Sequence, residues 1–299
     1  MKKKSKQALR EYESKLANDK HNPKRLLAYI ISKRIVSNQI SALTSDSNQT
    51  NSDGVTKANI LNNHFQSAFS KEPLIQQLNP FALKTKVSTS DITIDQNIVL
   101  KHLKMLDGNK SMGNDNISPF VLKSCATSMT VPLTLIFQLS IESGKVPSDW
   151  LTANVTPIYK KGTRTDPADY RPISLTSITC KLMEKIVRQV IIDHLVYNKL
   201  LSNTQHGFIS KKTCVTNLLE TMDFFTHSKS KKKPIDLIFL DFAKAFDKVS
   251  HSRLLQKLEM YGIKGNLLSW IKAFLTNRKQ RVILGDSISD WINVTIDVP

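Results

Sequence analysis

Cysteine, internal repeats and long apolar runs are what this chain is short of. Its 299 residues hold three cysteines, Cys125, Cys180 and Cys214, far apart and without C-x-x-C spacing. Neither a disulfide framework nor a zinc site is indicated, and a reducing compartment fits. No apolar run approaches the roughly 18 residues of a membrane span. The M-K-K-K-S-K start carries the charge of a signal peptide, but polar residues follow where the apolar stretch belongs. The reading is an intracellular protein of the nucleus or cytoplasm, neither secreted nor membrane-bound. No repeat at a period of about 20 to 50 residues occurs. A Walker phosphate loop is also missing: around Gly108–Ser111 no Gly-Lys pair is adjacent and the earlier glycine is absent.

Acidic residues are scarce as well. Twenty-five Asp and Glu stand against 43 Lys and Arg, giving a formal net charge of +18 and a pI near 9.8. That excess points to a polyanionic partner, nucleic acid first, with a solvated basic surface as the plain alternative. A chain of this length is one large domain or two and buries roughly three quarters of its unfolded surface.

Residues 1–34 hold eleven basic and three acidic residues. They read as helix broken near Asn22 and Pro23, and the basic face either tracks phosphates, serves as a nuclear address or is simply solvated. Ser41–Asp53 is polar and aperiodic, a linker, and residues 1–54 form a basic helical extension. Residues 55–150 are a helical region: helical spacing covers Val55–Phe69, Thr93–Leu106 and Val121–Glu142, while residues 71–90 look irregular. An edge-like β run follows at Thr152–Tyr159, then a polar loop and D-Y-R-P-I-S-L. Amphipathic helix is expected at Ser177–Tyr197, with further helices at 214–227, His251–Tyr261 and Asn266–Leu275. Thr213 reads as an N-cap.

The remaining stretch, Pro234–Val249, reads P-I-D-L-I-F-L-D-F-A-K-A-F-D-K-V. Ile235–Leu240 is an apolar run with strong β propensity, suited to a central strand buried on both faces. It delivers Asp241 to the strand's carboxyl end, a favoured ligand position, although an aspartate there is also a common turn former.

Asp241–His251, D-F-A-K-A-F-D-K-V-S-H, resembles the first palm motif of reverse transcriptases, in the form used by non-LTR, LINE-type and jockey-like retrotransposons. Lys110, Ser111, Gly113, Asp115, Ile117 and Pro119 resemble the family's K-S-x-G-x-D-x-I-x-P entry to the fingers; Asn114 and Asn116 replace its usual Pro and Gly, and asparagine tolerates a left-handed turn. The pair V-T-P-I-Y-K and Y-R-P-I-S-L resembles the fingers hairpin, and Q-H-G-F with Thr213 resembles Q-x-G-F-x-x-x-x-S/T.

The resemblance implies an α+β right-hand polymerase fold: fingers over residues 151–233 and a partial palm over residues 234–299, helix-rich with an incomplete antiparallel palm sheet. It implies RNA-directed DNA polymerisation between two Mg²⁺ ions, with an RNA template, a DNA primer and deoxynucleoside triphosphates as partners. Asp241 is then the catalytic metal ligand, with the Phe242 carbonyl assisting, and Phe246 the steric gate against a ribose 2′-hydroxyl. Lys160 and Arg171 contact the triphosphate, since fixed ammonium and guanidinium charge suits phosphate oxygens. Gln205 serves the nucleotide, and Lys110, Lys161, Gly207 and Phe208 the nucleic acid. Without the resemblance, Lys160 is a solvated lysine, Arg171 anchors a proline turn, and His251 starts a helix.

At D-V-P, Asp297–Pro299, the family reads G-V-P-Q-G-S, with Asp297 in the Gly position, and later supplies A-D-D, which these residues lack. Asp236 and Asp247 do not replace the opposing carboxylates. The expectation is a truncated fragment that does not polymerise alone; the competing readings are a non-catalytic nucleic-acid-binding remnant and an unstable incomplete palm.

Overall fold

Apolar residues at helical spacing between residues 92 and 275 become the buried faces of helices that meet in one core. The structure is a computed structural model describing residues 2–18, 29, 40–44, 50–67, 69, 83–242 and 244–295. The expected break at Asn22–Pro23, residues 71–82 and the Asp297–Pro299 end lie outside the described residues. The chain divides into two units, Met1–Ser41 and Ala42–Pro299. The first holds α1 (Lys2–Asn18), on which Tyr12 meets Tyr29 edge to face at 5.7 Å. A hydrogen bond to Glu13 pushes the Tyr29 phenol up to about 12.

In the second unit, α2 (Gly54–Ser67), α3 (Gln96–Lys104), α4 (Pro119–Ser124) and α5 (Ala126–Ser143) precede β3 (Thr152–Tyr159) and β4 (Tyr170–Leu175). Then come α6 (Ile178–Tyr197), α7 (Cys214–Ser230), α8 (His251–Met260), α9 (Gly265–Leu275), β5 (Arg278–Leu284), β6 (Ser287–Ile288) and β7 (Ile292–Val294). The ends are set locally: the side chains of Asp95, Ser177, Thr213 and Ser250 each accept a backbone N–H at a helix start. Val99 and Leu103, Phe137 and Ile141, Leu182 and Met183, and Leu267 and Trp270 bring α3, α5, α6 and α9 into one buried cluster. Phe137 meets Trp150 edge to face at 5.8 Å, and the Trp270 indole N–H donates to Ser140 Oγ at 2.9 Å, so the buried ring keeps its polar atom satisfied.

The sheet runs β4-β3-β5-β6, with β7 also on β5. Helix α2 covers one of its faces, stitched on by buried Asn62, whose amide donates to Ser289 Oγ and to the Asp290 carbonyl at 2.9 Å each and accepts from Gln280. Helix and sheet together make an α+β fold.

Three sequence expectations change. Within the stretch read as a linker, β1 (Leu43–Thr44) and β2 (Thr50–Asn51) pair, Leu43 is fully buried, and Thr44 N donates to Thr165 O at 2.8 Å. The β3 run is an inner strand, and the sheet is mixed: β3 is antiparallel to β4 but parallel to β5, from Thr152↔Lys279 to Val155↔Val282. Ile235–Leu240 is no buried central strand. It is irregular, and Ile238, Phe239 and Leu240 are 80%, 86% and 87% exposed. An apolar run becomes a strand only when a neighbour takes its N–H and C=O groups and a second layer covers its side chains. Among the described residues no strand pairs with residues 234–242.

Candidate functional site

Strand alternation sorts the basic residues. In the β3–β4 register Ile158 opposes Arg171 and Thr156 opposes Ile173, while Asn154 opposes Arg281 on β5. Arg171, Ile158, Ile173, Lys279 and Arg281 therefore share the face away from α2, and Lys160 continues the same alternation. Lys160 and Arg171 are exposed there. The connecting turn is tight: Lys160 N donates to Asp169 O at 2.8 Å, Thr163 N to Asp169 Oδ2, and the Tyr159 hydroxyl to Gly162 O at 2.6 Å. Lys161 is exposed in it. Arg281 is held in place, donating to Asn154 Oδ1 at 2.8 Å and Asn114 Oδ1 at 3.0 Å and lying 4.5 Å from the centre of the Trp291 ring.

The K-S-M-G-N-D-N loop is fixed by its glycine and asparagines. A Cβ on Gly113 would stand 2.6 Å from backbone atoms of Thr176 and Ser177, so only glycine lets the two segments pass. Asn114 also bonds Thr152, and Asn116 occupies the left-handed region at φ 54°. Lys110 reaches a groove of about 860 Å³, walled mainly by apolar residues of α6, α8 and α9 and edged by Lys181, Lys185 and Arg188. Burial pushes the Glu184 carboxyl up from its ordinary value, against the pull of the Cys180 hydrogen bond and of the Lys181 and Arg278 charges. Burial, with the Glu184 charge beside it, likewise pushes the Cys180 thiol up.

The Q-H-G-F loop lies against α6 and α7. Gln205 Nε2 donates to Gly207 O at 3.1 Å and the residue borders a groove of about 510 Å³ with Lys199 and Lys212. The Phe208 ring is 79% exposed on a backbone at φ 62°, and Arg188 donates to its carbonyl at 3.3 Å. His206 is buried between Thr216 and Glu220. The sequence reading passed over it, because its partners lie on the next helix and leave no local signature.

Asp241, Phe242 and Phe246 are exposed. The turn of residues 244–248, which contains Phe246, places Lys244 and Asp247 in a pocket of about 100 Å³ with Tyr170, Pro172, Ser174 and Gln280, which belong to the α2 side of the sheet. The structure thus brings Lys160 and Arg171 onto one face and seats the motif turn against the other. Among the described residues no three His, Cys, Asp or Glu side chains gather as a metal site. His251 is the buried first residue of α8. No helix among the described residues is long and apolar enough to cross a membrane.

Residues 158–292 match the family described as reverse transcriptase (RNA-dependent DNA polymerase). Those residues carry a reverse transcriptase domain. Its relatives are proteins of non-LTR retrotransposons. It is 25% identical over 246 residues to the probable RNA-directed DNA polymerase from transposon BS of Drosophila melanogaster, covering 78% of this chain and 26% of that protein. To the corresponding X-element protein of the same fly it is 27% identical over 192 residues, 64% of this chain and 21% of the relative. To the RNA-directed DNA polymerase from mobile element jockey it is 26% identical over 222 residues, 74% and 24% respectively. The chain spans about a quarter of the length of these curated relatives.

Proposed function

We propose that this domain takes an RNA template, a DNA primer and deoxynucleoside triphosphates, as the fingers (residues 151–233) and first palm segment (residues 234–299) of a polymerase working inside the cell. The supporting observation is the open sheet face carrying Lys160 and Arg171: two cations on one hairpin, Arg171 on β4 and Lys160 one residue past β3, suit a triphosphate. Phe246 would exclude a ribose 2′-hydroxyl, and Gln205, Gly207, Phe208, Lys110 and Lys161 would contact nucleotide or nucleic acid. The family generally uses divalent metal ions, and Asp241 with the Phe242 carbonyl is the part of such a site that these residues could supply. One carboxylate under-coordinates a pair of Mg²⁺ ions, so the 299-residue polypeptide should bind without extending a primer.

The test is a titration with a fluorescent deoxynucleoside triphosphate on a primer–template duplex. Lys160→Ala and Arg171→Ala should each weaken nucleotide binding about tenfold or more, as expected for the loss of a charge-assisted hydrogen bond. Unchanged affinity in both variants sinks the nucleotide assignment. A second reading, nucleic-acid binding without catalysis, is favoured by the net charge of +18. If six to ten phosphates are contacted, affinity falls about 10³ to 10⁵-fold between about 50 and 200 mM salt; a flat response removes it.

A further inference from the structure

We propose that His206 is a positioning residue that clamps the loop of residues 202–213 to α7, so that Gln205 and Phe208 are presented to nucleic acid. The inference rests on the nucleic-acid reading of that loop given above. The His206 side chain is only 5% exposed and both ring nitrogens are engaged, Nε2 with Glu220 Oε2 and Nδ1 with Thr216 Oγ1, each at 3.0 Å. An ionised carboxylate only accepts, so Nε2–H is the donor to Glu220. Thr216 Oγ1 accepts from Thr213 N at 2.9 Å, and its one proton is shared between His206 Nδ1 and Thr213 O, 2.8 Å away. The imidazole is therefore built into the capping box that starts α7.

Phe208 shows why the loop needs such a hold. A bulky residue at φ 62° with its ring in water gains nothing from its own burial, so neighbours must impose that backbone. Arg188 on the Phe208 carbonyl, Lys212 on the Asn203 carbonyl and the His206 clamp together do so. An outward aromatic ring in the same loop as Lys211 and Lys212, with Arg188 on its own carbonyl, suits an unpaired base stacked on the ring, with its phosphates on the cations.

The experiment uses the 299-residue chain, a fluorescein-labelled single-stranded RNA oligonucleotide and limited trypsin cleavage after Lys211 and Lys212. His206→Ala should speed cleavage in the loop and weaken RNA binding as much as Phe208→Ala does, about 5- to 150-fold for the loss of one stacked base. The double variant should be no weaker than the poorer single variant, and free imidazole should restore both readouts to His206→Ala. Unchanged cleavage, or fully additive losses in the double variant, overturns the clamp. Faster cleavage with RNA binding unmoved by Phe208→Ala overturns the nucleic-acid reading of the loop instead. Should His206→Ala not fold, Glu220→Gln, which keeps an acceptor but drops the charge, should loosen the loop by a smaller factor; no change in cleavage there also counts against the clamp.

Discussion

Two regions of the second unit have the same apolar raw material and opposite fates. In α3, α5, α6 and α9 the stripes face one another, and Trp270, Phe137, Leu103 and Leu182 are almost wholly buried. In α7 the stripe of Val215, Leu218, Leu219 and Met222 is exposed, and so is the apolar run from Leu237 to Leu240 that follows it. Periodicity makes an element; only a facing layer makes it part of a core. The motif with the most chemical content starts at Asp241, which is itself exposed. Residues carrying chemistry commonly sit on segments that the packed scaffold holds at its surface.

The sharpest way to break the contrast is a matched pair of truncations. Trp270→Ala, which empties a buried site and orphans Ser140 from its indole partner, should cost about 3–5 kcal/mol. Phe239→Ala should shift stability by less than about 0.5 kcal/mol, as an exposed residue does. Thermal melts of both compare the regions directly, and equal losses would show that residues 235–242 pack as a strand after all.

A smaller effect is expected where the Lys110–Pro119 loop crosses the segment before α6. Gly113→Ala drives a Cβ into the Thr176–Ser177 backbone and should cost about 1–3 kcal/mol in urea unfolding, as overpacking does. An unperturbed midpoint would mean that the two segments part without cost.

The smallest effect concerns Glu184 at the wall of the large groove. Its carboxyl is raised above the ordinary carboxylate value, mainly by burial. The folded state therefore holds that proton more tightly than the unfolded one, and stability declines as pH rises from the ordinary carboxylate range toward the raised value. Glu184→Gln should remove this decline, stabilising the chain at neutral pH and leaving it unchanged in acid. Denaturant curves at several pH values read it, and a variant that loses stability at neutral pH contradicts the sign.

Most helices were legible because their signals are local. The spacing of Ile178, Leu182 and Ile186 and the cap at Thr213 are short-range features, and the helices starting there follow the expected bounds closely. The β3–β4 hairpin was legible for the same reason. The parallel pairing of β3 with β5 was not, since parallel strands need a long crossover that leaves no adjacent signature. Within the candidate site, Lys160 and Arg171 could be named from the sequence, but their common face comes from the register. Asn114 gave no hint that it would bond Arg281.

The sequence by itself therefore determined the helices and their caps, the β3–β4 hairpin, the basic charge and the Asp241–His251 motif that carries the family resemblance. These are properties of residues a few positions apart. The tertiary structure alone decided the mixed sheet, the passage that only Gly113 permits and the burial of His206 between Thr216 and Glu220. It also left Ile235–Leu240 exposed instead of buried. Each depends on distant segments meeting, and the free energy of such a contact belongs to the pair rather than to either stretch of sequence.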